Sequence, residues 1–241
     1  MWTAPKTSTI SVIIPTLNEA GQLPRTLPRP LAAPKVEVIV VDGGSADGTD
    51  RIGASNGAKV LRSSPGRARQ MNAGAQAARG ELLLFLHADT LLPPDFADHV
   101  RRILDLPGVA AGAFRLTIAG EKRGLRLVER VVNWRSEILQ MPYGDQALFM
   151  RAAGFRAAGG FPDLALMEDF ALMRRLKRTG RIVTAPAAVI TSGRRWLEQG
   201  IVRTTLLNQA IILGFLFGCS PQRLARWYCR GKKTGNGRLG G

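Results

Sequence analysis

Short apolar runs, each closed by a proline, a glycine or an acidic loop, alternate with stretches of helical period through the first part of the chain. Residues 9–14 are β-branched and apolar on both faces, and Pro15 stops them before Asn18 and Glu19 open a polar turn. Residues 35–41, KVEVIVV, repeat the pattern and run into DGGSADGTD, where glycines free the backbone and Ser45 or Asp47 can cap a following helix. A short strand at 59–62 follows, then a Pro-Gly turn and an alanine-rich helix closed by Gly80, then a fourth strand at 82–86. Strands alternating with helices to about residue 105 predict a parallel sheet with right-handed crossovers, whose ligands bind beyond the carboxyl ends of the strands. Residues 15–18, 42–45 and 87–89 all fall at that edge.

The pattern changes after Pro107. VAAGAFRLTI reads as a strand, 123–137 as a basic amphipathic helix, and AGGFP as a turn. LMEDFALMRRLKRTG reads as a helix with acids in its first turn and bases toward its end, the arrangement that the macrodipole favours, and 182–190 reads as a last strand. These elements make one domain over 1–200, with halves at 8–106 and 107–200. Residues 201–230 form a hydrophobic and basic helical appendage, and 231–241 a disordered tail. In the appendage Arg203, Asn208 and Gln209 interrupt the apolar residues, and the clean run 210–217 falls far short of the roughly 20 residues that span a bilayer. Arg223, Arg226 and Arg230 follow, with Trp227 and Tyr228 between them. This composition fits a helix lying in the interface of an anionic membrane, a buried helix or a homodimer contact.

Length and composition narrow the classes. A chain of 241 residues with 45% hydrophobic content fills a core and is not disordered. The excess of 34 Lys and Arg over 18 Asp and Glu gives +16, which draws polyanions: nucleic acid, nucleoside diphosphates or an anionic membrane surface. No nucleic-acid reading motif or interleaved aromatic platform accompanies the charge, and only 6% of residues are aromatic, so nucleic acid is not an expected partner. Cys219 and Cys229 lack a zinc or redox spacing, and the N-terminal apolar run is cut off by Pro15, which together predict a cytoplasmic protein without a signal peptide.

The strand ends carry the candidate chemistry. In LFLHADT, residues two apart on an extended segment point the same way, so His87 and Asp89 emerge together with metal-ligand geometry; a hydrogen-bonded strand end is the ordinary alternative. Asp42, directly after a strand, can accept hydrogen bonds from a base or ribose while Gly43 and Gly44 let the backbone approach a ligand, although Asp, Gly and Ser also build plain turns. Glu168 and Asp169 open a helix, where acids either supply a base or satisfy free N–H groups.

SVIIPTLNEA, VEVIVVDGGSADGT and HADT, in that order, resemble the family 2 glycosyltransferases of the GT-A fold, an α/β architecture with a mixed, mostly parallel sheet flanked by helices. The resemblance covers about residues 9 to 195, and its closest form is the bacterial subgroup called transferase 2, rSAM/selenodomain-associated. It implies an inverting transferase whose donor is a nucleotide-diphosphate sugar, UDP- or GDP-linked, and whose acceptor hydroxyl is undetermined and open to being lipid-linked. Pro15, Thr16, Leu17, Asn18, Glu19, Asp42, Gly44, Ser45 and Arg67 then correspond to the nucleotide site, and Asn72 shares the helix of Arg67. Asp89 corresponds to the ligand of a divalent cation that neutralises the diphosphate; oxygen ligands suit Mg²⁺ or Mn²⁺, and an imidazole favours Mn²⁺. The chain departs from the family's DxD at His87, which either ligates the metal or hydrogen-bonds the ribose. Asp169 corresponds to the base that deprotonates the acceptor, its pair Glu168 to a sugar- or acceptor-binding residue, and Asp145 and Gln146 to groups of the same pocket that hold sugar hydroxyls. Arg194 or Arg195 can cover the diphosphate, since guanidinium groups suit phosphate oxygens, and the GRRW stretch lacks the glutamine of processive synthases. The His87 replacement keeps a second reading in play, a nucleotide-binding protein of this fold that has lost catalysis; a nucleotidyltransferase lacks its glycine-rich basic signature after the first strand.

Overall fold

In a computed structural model of the chain, the backbone is described for residues 8–233 and the side chains for residues 8–228. The elements in order are β1 (Ile10–Thr16), α1 (Leu23–Thr26), α2 (Pro28–Ala32), β2 (Val36–Asp42), α3 (Thr49–Ser55), β3 (Lys59–Arg62), α4 (Arg67–Ala77), β4 (Leu82–Phe85), β5 (Thr90–Leu91) and α5 (Phe96–Asp105). Then come β6 (Val109–Ile118), α6 (Arg123–Ile138), a 3-10 turn (Gly144–Gln146), β7 (Phe149–Arg151), α7 (Ala152–Ala157), α8 (Glu168–Leu176), β8 (Arg181–Thr191), α9 (Arg194–Gln199), α10 (Ile201–Leu216) and α11 (Pro221–Lys233). One sheet contains all the strands in the order β3-β2-β1-β4-β7-β6-β8-β5.

The period of two decides the layers. Along β1, Ile10, Val12 and Ile14 enter one core while Ile13 enters the other; Val38 and Val40 of β2 alternate with Ile39 and Val41, and Leu82 and Leu84 of β4 with Leu83 and Phe85. These strands are buried on both faces, which is why they read as continuous apolar runs. β1, β2, β3 and β4 are mutually parallel, and the register that pairs Thr16 with Asp42 brings the loops after β1 and β2 side by side. β7 turns the sheet by pairing antiparallel with both β4 and β6.

The strands at 9–14, 35–41, 59–62, 82–86 and 182–190 lie within two residues or so of their expected places. β5 and β7 are not foreseen, because two and three residues are too short to show a period. β5 matters nonetheless. It pairs Thr90 with Thr191 and Leu91 with Ile190, so the HADT segment is clamped against the end of β8: Ser192 N–H donates to the Asp89 carbonyl at 3.1 Å, and the Thr90 hydroxyl to that of Thr191 at 2.9 Å.

The expected appendage is part of the body. Ile211 and Leu224 are buried against Met167 and Phe170 at the start of α8, and α10 lies beside α6, where Ile201 meets the backbone at Gly124. Gly231 and the two lysines after it form the end of α11, and the rest of the expected tail lies outside the described residues. Among the described residues no helix is long and apolar enough to cross a membrane.

Candidate active site

The loops after β1 and β2 fasten each other through side-chain oxygens. Asp42 is 2% exposed. Its Oδ2 accepts from the N–H groups of Gly44 and Ser45, both at 2.9 Å, and its Oδ1 from the Ser45 hydroxyl at 2.5 Å. The Asn18 N–H donates to Ser45 Oγ at 2.9 Å, Ala46 N–H to Asn18 Oδ1 at 2.9 Å, and Glu19 N–H to the Thr49 hydroxyl oxygen at 2.9 Å. From beneath, the Gln70 amide donates to the carbonyls of Thr16 and Val41 at 2.7 and 2.8 Å, tying both strand ends to α4. The backbone at Gly44 has φ +93°, a conformation that an L side chain strains to adopt. The structure thus brings together the loop residues singled out from the sequence, with a division of labour: Asp42 and Thr16 are buried braces, while Leu17, Asn18 and Gly44 stand at the surface.

Beside these loops lies a cavity of about 260 Å³ that none of their residues lines. Its walls come from the turn after β4 (His87, Asp89), where the Thr90 N–H donates to the His87 carbonyl at 3.1 Å and the segment is not extended as expected, from Arg67, from the turn carrying Asp145, from Glu168 and Asp169, from α6, and from α9, α10 and α11. Asp89 stands at the junction, since it also lines a smaller pocket of about 100 Å³ with Gln22, Arg25 and Ser192.

Met167, in the left-handed region at φ 69°, turns the chain so that the first residues of α8 project into the cavity. Glu168 is 3% exposed, with Arg67 at 3.8 Å, and burial raises its pKa, with the Asp169 charge adding to the rise. Asp169 is only half-buried. Its Oδ2 accepts from the Gly144 N–H at 2.6 Å and its Oδ1 from the Phe170 N–H at 2.7 Å. Gly144 is a point of close approach, because a Cβ there would come within 3.1 Å of both Asp169 Oδ2 and His87 Nε2. His87 therefore faces the same small space as Asp169. Burial, reinforced by the Arg67 charge, holds its pKa well below the usual value, so the imidazole is neutral, and its buried Nε2 has no partner.

Two expectations on the 3-10 turn separate. Gln146 is completely buried; its Oε1 accepts from the Ser136 hydroxyl at 2.7 Å and the Tyr143 N–H at 3.2 Å, and its Nε2 donates to the Phe114 carbonyl at 2.9 Å. An amide so fully engaged does not hold a sugar hydroxyl; it holds the turn that presents Gly144 and Asp145. Asp145 does line the cavity, with Oδ1 buried and unpartnered. Burial raises its pKa to about 6 and the Asp169 charge adds to this, while Arg135 and Arg67 oppose it. Because the folded form holds this proton more tightly than the unfolded chain does, the folded state loses stability as pH rises from about 4 through about 6. Replacing Asp145 with Asn is therefore expected to stabilise the fold at pH 7.5 by up to about 3 kcal/mol, read as a higher thermal midpoint, and much less at pH 4. Equal midpoints for variant and parent at pH 7.5 would show that the buried carboxylate carries no cost.

Apart from Arg195, the far wall was not foreseen. Arg135 of α6 lies over the Tyr143 ring at 3.6 Å, and Arg195 of α9 over the Tyr228 ring at 3.9 Å. Trp196, Thr205 and Asn208 complete it. The sequence offered one signal, the polar residues Asn208 and Gln209 inside an otherwise apolar helix, which here mark the side of α10 that meets the cavity. Arg194 is exposed, so of the two arginines in GRRW only Arg195 enters.

The sequence model of the family described as Glycosyl transferase family 2 matches residues 11–175, about two thirds of the chain. The chain is a family 2 glycosyltransferase. The undecaprenyl-phosphate 4-deoxy-4-formamido-L-arabinose transferase of Aeromonas hydrophila is 35% identical to it over 99 residues, 36% of this chain and 30% of that protein. The counterpart in Pseudomonas aeruginosa PAO1 is 33% identical over 99 residues, so the transferase matches less than a third of the length of these curated relatives. Among solved structures, the mannosyltransferase PcManGT of Pyrobaculum calidifontis in complex with GDP-Man and Mn²⁺ superposes with a TM-score of 0.63 at 20% identity, over 98% of this chain and 78% of that one. S. aureus TarS in complex with UDP-GlcNAc superposes at 0.59 with 20% identity, over 76% and 58%. The fold of the transferase is accordingly the GT-A architecture that its sequence motifs imply.

Proposed function

We propose that the transferase moves a sugar from a nucleoside-diphosphate donor to an acceptor oxygen in one inverting displacement, with Asp169 as the base. The observation that carries this reading is the Asp169 carboxylate, half-buried in the cavity and aimed by the Gly144 N–H beside a neutral His87. In the step, Asp169 takes the proton of the acceptor O–H, the acceptor oxygen attacks the anomeric carbon from the side opposite the diphosphate, and the bond from that carbon to the diphosphate oxygen breaks with its electron pair. The loops after β1 and β2 hold the nucleotide. Asp145, protonated to a large extent near pH 6, can donate to a sugar hydroxyl as well as accept from one.

The residues at the end of β4 fit a divalent cation that arrives with the donor. Asp89 offers a carboxylate at the junction of the two pockets, and His87 an unpartnered ring nitrogen. Among the described residues no group of three His, Cys, Asp or Glu surrounds a common point, so Asp89 and His87 are the residues that would hold such a cation. Such a cation, when bound, neutralises charge on the departing diphosphate. Similarity to enzymes named for GDP-Man, UDP-GlcNAc and undecaprenyl phosphate supports a nucleotide-sugar donor and a lipid-linked acceptor met at the inner face of a membrane.

A thermal-shift panel of UDP, GDP, TDP and CMP, each with Mn²⁺, Mg²⁺ or EDTA, tests the donor half. A ligand at 100 times its dissociation constant adds about 2.7 kcal/mol to stability. One diphosphate is expected to stabilise the parent in metal and little in EDTA, and Asp89→Ala is expected to erase that difference. A protein shown to be folded that responds to no nucleotide would instead support the reading in which the fold persists without catalysis.

A further inference from the structure

The cavity holds a chemical imbalance that a neutral sugar does not explain. Among the described residues, eight carry a buried side-chain nitrogen or oxygen without a partner, and six of these line this one cavity. On the far wall they are mostly donors: Nε and Nη2 of Arg195, Nη2 of Arg135, Nε1 of Trp196 and the hydroxyl of Thr205. None of the ion pairs among the described residues joins Arg135 or Arg195 to a carboxylate. Arg195 is held in place by the Tyr228 ring and hydroxyl, and Arg135 by the Tyr143 ring and by its Nε–H donating to the Met141 carbonyl at 3.2 Å, with the Asp145 carboxyl near enough to feel the Arg135 charge. Burial, with Arg67 nearby, even lowers the pKa of Arg195. Buried cations are ordinarily paired, and a rigidly stacked guanidinium with its fork unpaired is a site awaiting an anion.

We propose that Arg195 and Arg135, with the Trp196 N–H, bind a phosphate monoester carried by the acceptor. This deepens the reading of the chain as a transferase by naming the chemistry of its acceptor. The donor's own phosphates are the competing occupant. The donor diphosphate is expected near Arg67, His87 and Asp89, which line the same cavity, whereas the two arginines stand on α6 and α9 among residues of α10 and α11, and the loops after β1 and β2 contribute none of the lining. The planar fork of Arg195 suits two oxygens of one phosphate, and the apolar Val128, Val132 and Ile212 beside it suit whatever the phosphate is attached to. The same group could arrive on a lipid or on a free metabolite.

The test is isothermal titration of the full chain, saturated with UDP or GDP plus Mn²⁺, with hexyl phosphate, glycerol 3-phosphate and hexanol. Both monophosphates, or one of them, are expected to bind at least tenfold more tightly than hexanol; tighter hexyl phosphate assigns a lipid source, and tighter glycerol 3-phosphate a soluble one. Arg195→Ala is expected to weaken the monophosphate at least tenfold while nucleoside-diphosphate affinity stays within twofold. Arg195→Lys, which keeps the charge and loses the fork, should fall between. Should Arg195→Ala fail to fold, Trp196→Phe, which removes only the N–H donor and the smaller ring, should still cost a few-fold. Monophosphates that bind no better than hexanol, or an Arg195→Ala loss confined to the nucleotide, would overturn the proposal. A chain that binds monophosphates but no nucleotide would refute the transferase reading and leave this subsite standing.

Discussion

Asn in place of Asp169 is expected to lower turnover by at least about a hundredfold, the lower end of what a positioned general base supplies, with nucleotide affinity left within about twofold. Asn keeps the shape of the side chain and an oxygen that can accept from the Gly144 N–H, which now lies 2.6 Å from Asp169 Oδ2, and gives up only the acceptor that faces the Phe170 N–H of the next residue. What disappears is the ability to take a proton. The loss should therefore fall on kcat in steady-state assays, while titration with the nucleoside diphosphate gives the parent value. Gly144 keeps the space open, because a side chain there would come within 3.1 Å of both Asp169 Oδ2 and His87 Nε2, and a His87→Gln variant that keeps its turnover excludes the imidazole as the base. A variant that turns over at the parent rate would remove Asp169 from the mechanism and return attention to Asp145, Glu168 and Asp89, the other carboxyls that line the cavity.

A second large effect concerns where the enzyme works. The outward face of α6 presents Leu127, Val131, Trp134 and Ile138 at helical spacing, and that of α10 presents Val202, Leu206, Leu213 and Phe217; Trp134 is 59% and Phe217 85% exposed. Arg123 and Arg130 on α6, and Arg203, Arg223 and Arg226 farther on, are exposed around them, in a chain of net charge +16. Apolar faces with basic rims are the pattern of surfaces that lie in an anionic lipid interface, where burying one large apolar side chain is worth about 1.5–3 kcal/mol. The parent is expected to pellet with vesicles containing phosphatidylglycerol and to stay in solution with phosphatidylcholine alone, and raising the salt should weaken the association. Trp134→Glu combined with Leu206→Glu is expected to cut the bound fraction at least tenfold without changing nucleotide affinity. A stable dimer in solution that ignores both kinds of vesicle would assign this face to a second copy of the chain.

The sheet edge was legible because its signals are local. A strand buried on both faces announces itself as an apolar run, and the loops that follow are spelled in Pro, Asn, Asp, Gly and Ser, so residues 15–19, 42–45 and 87–89 could be placed at one edge before any coordinates. The cavity was legible only in part. Asp169 and Asp145 sit in recognisable turns and Arg195 in the GRRW stretch, but Arg135 and Tyr228 come from two other helices whose convergence on it depends on tertiary packing, which no local pattern reveals. Gln146 shows the opposite error. Its polarity suggested a ligand contact, whereas a fully buried amide with three internal partners is structural, a distinction that burial alone makes.

The family resemblance measured by sequence ends at residue 175, yet Ser192, Arg195, Trp196, Asn208, Ile211 and Tyr228 all belong to the cavity. The cavity is thus walled by two parts: the stretch that the family model covers supplies Asp89, Asp145, Glu168, Asp169 and His87, and a helical cover beyond the match joins it through Gly193 and Gly200 at the ends of α9. A chimera that exchanges only this cover would keep every carboxylate of the cavity and replace the wall that carries Arg195 and Tyr228.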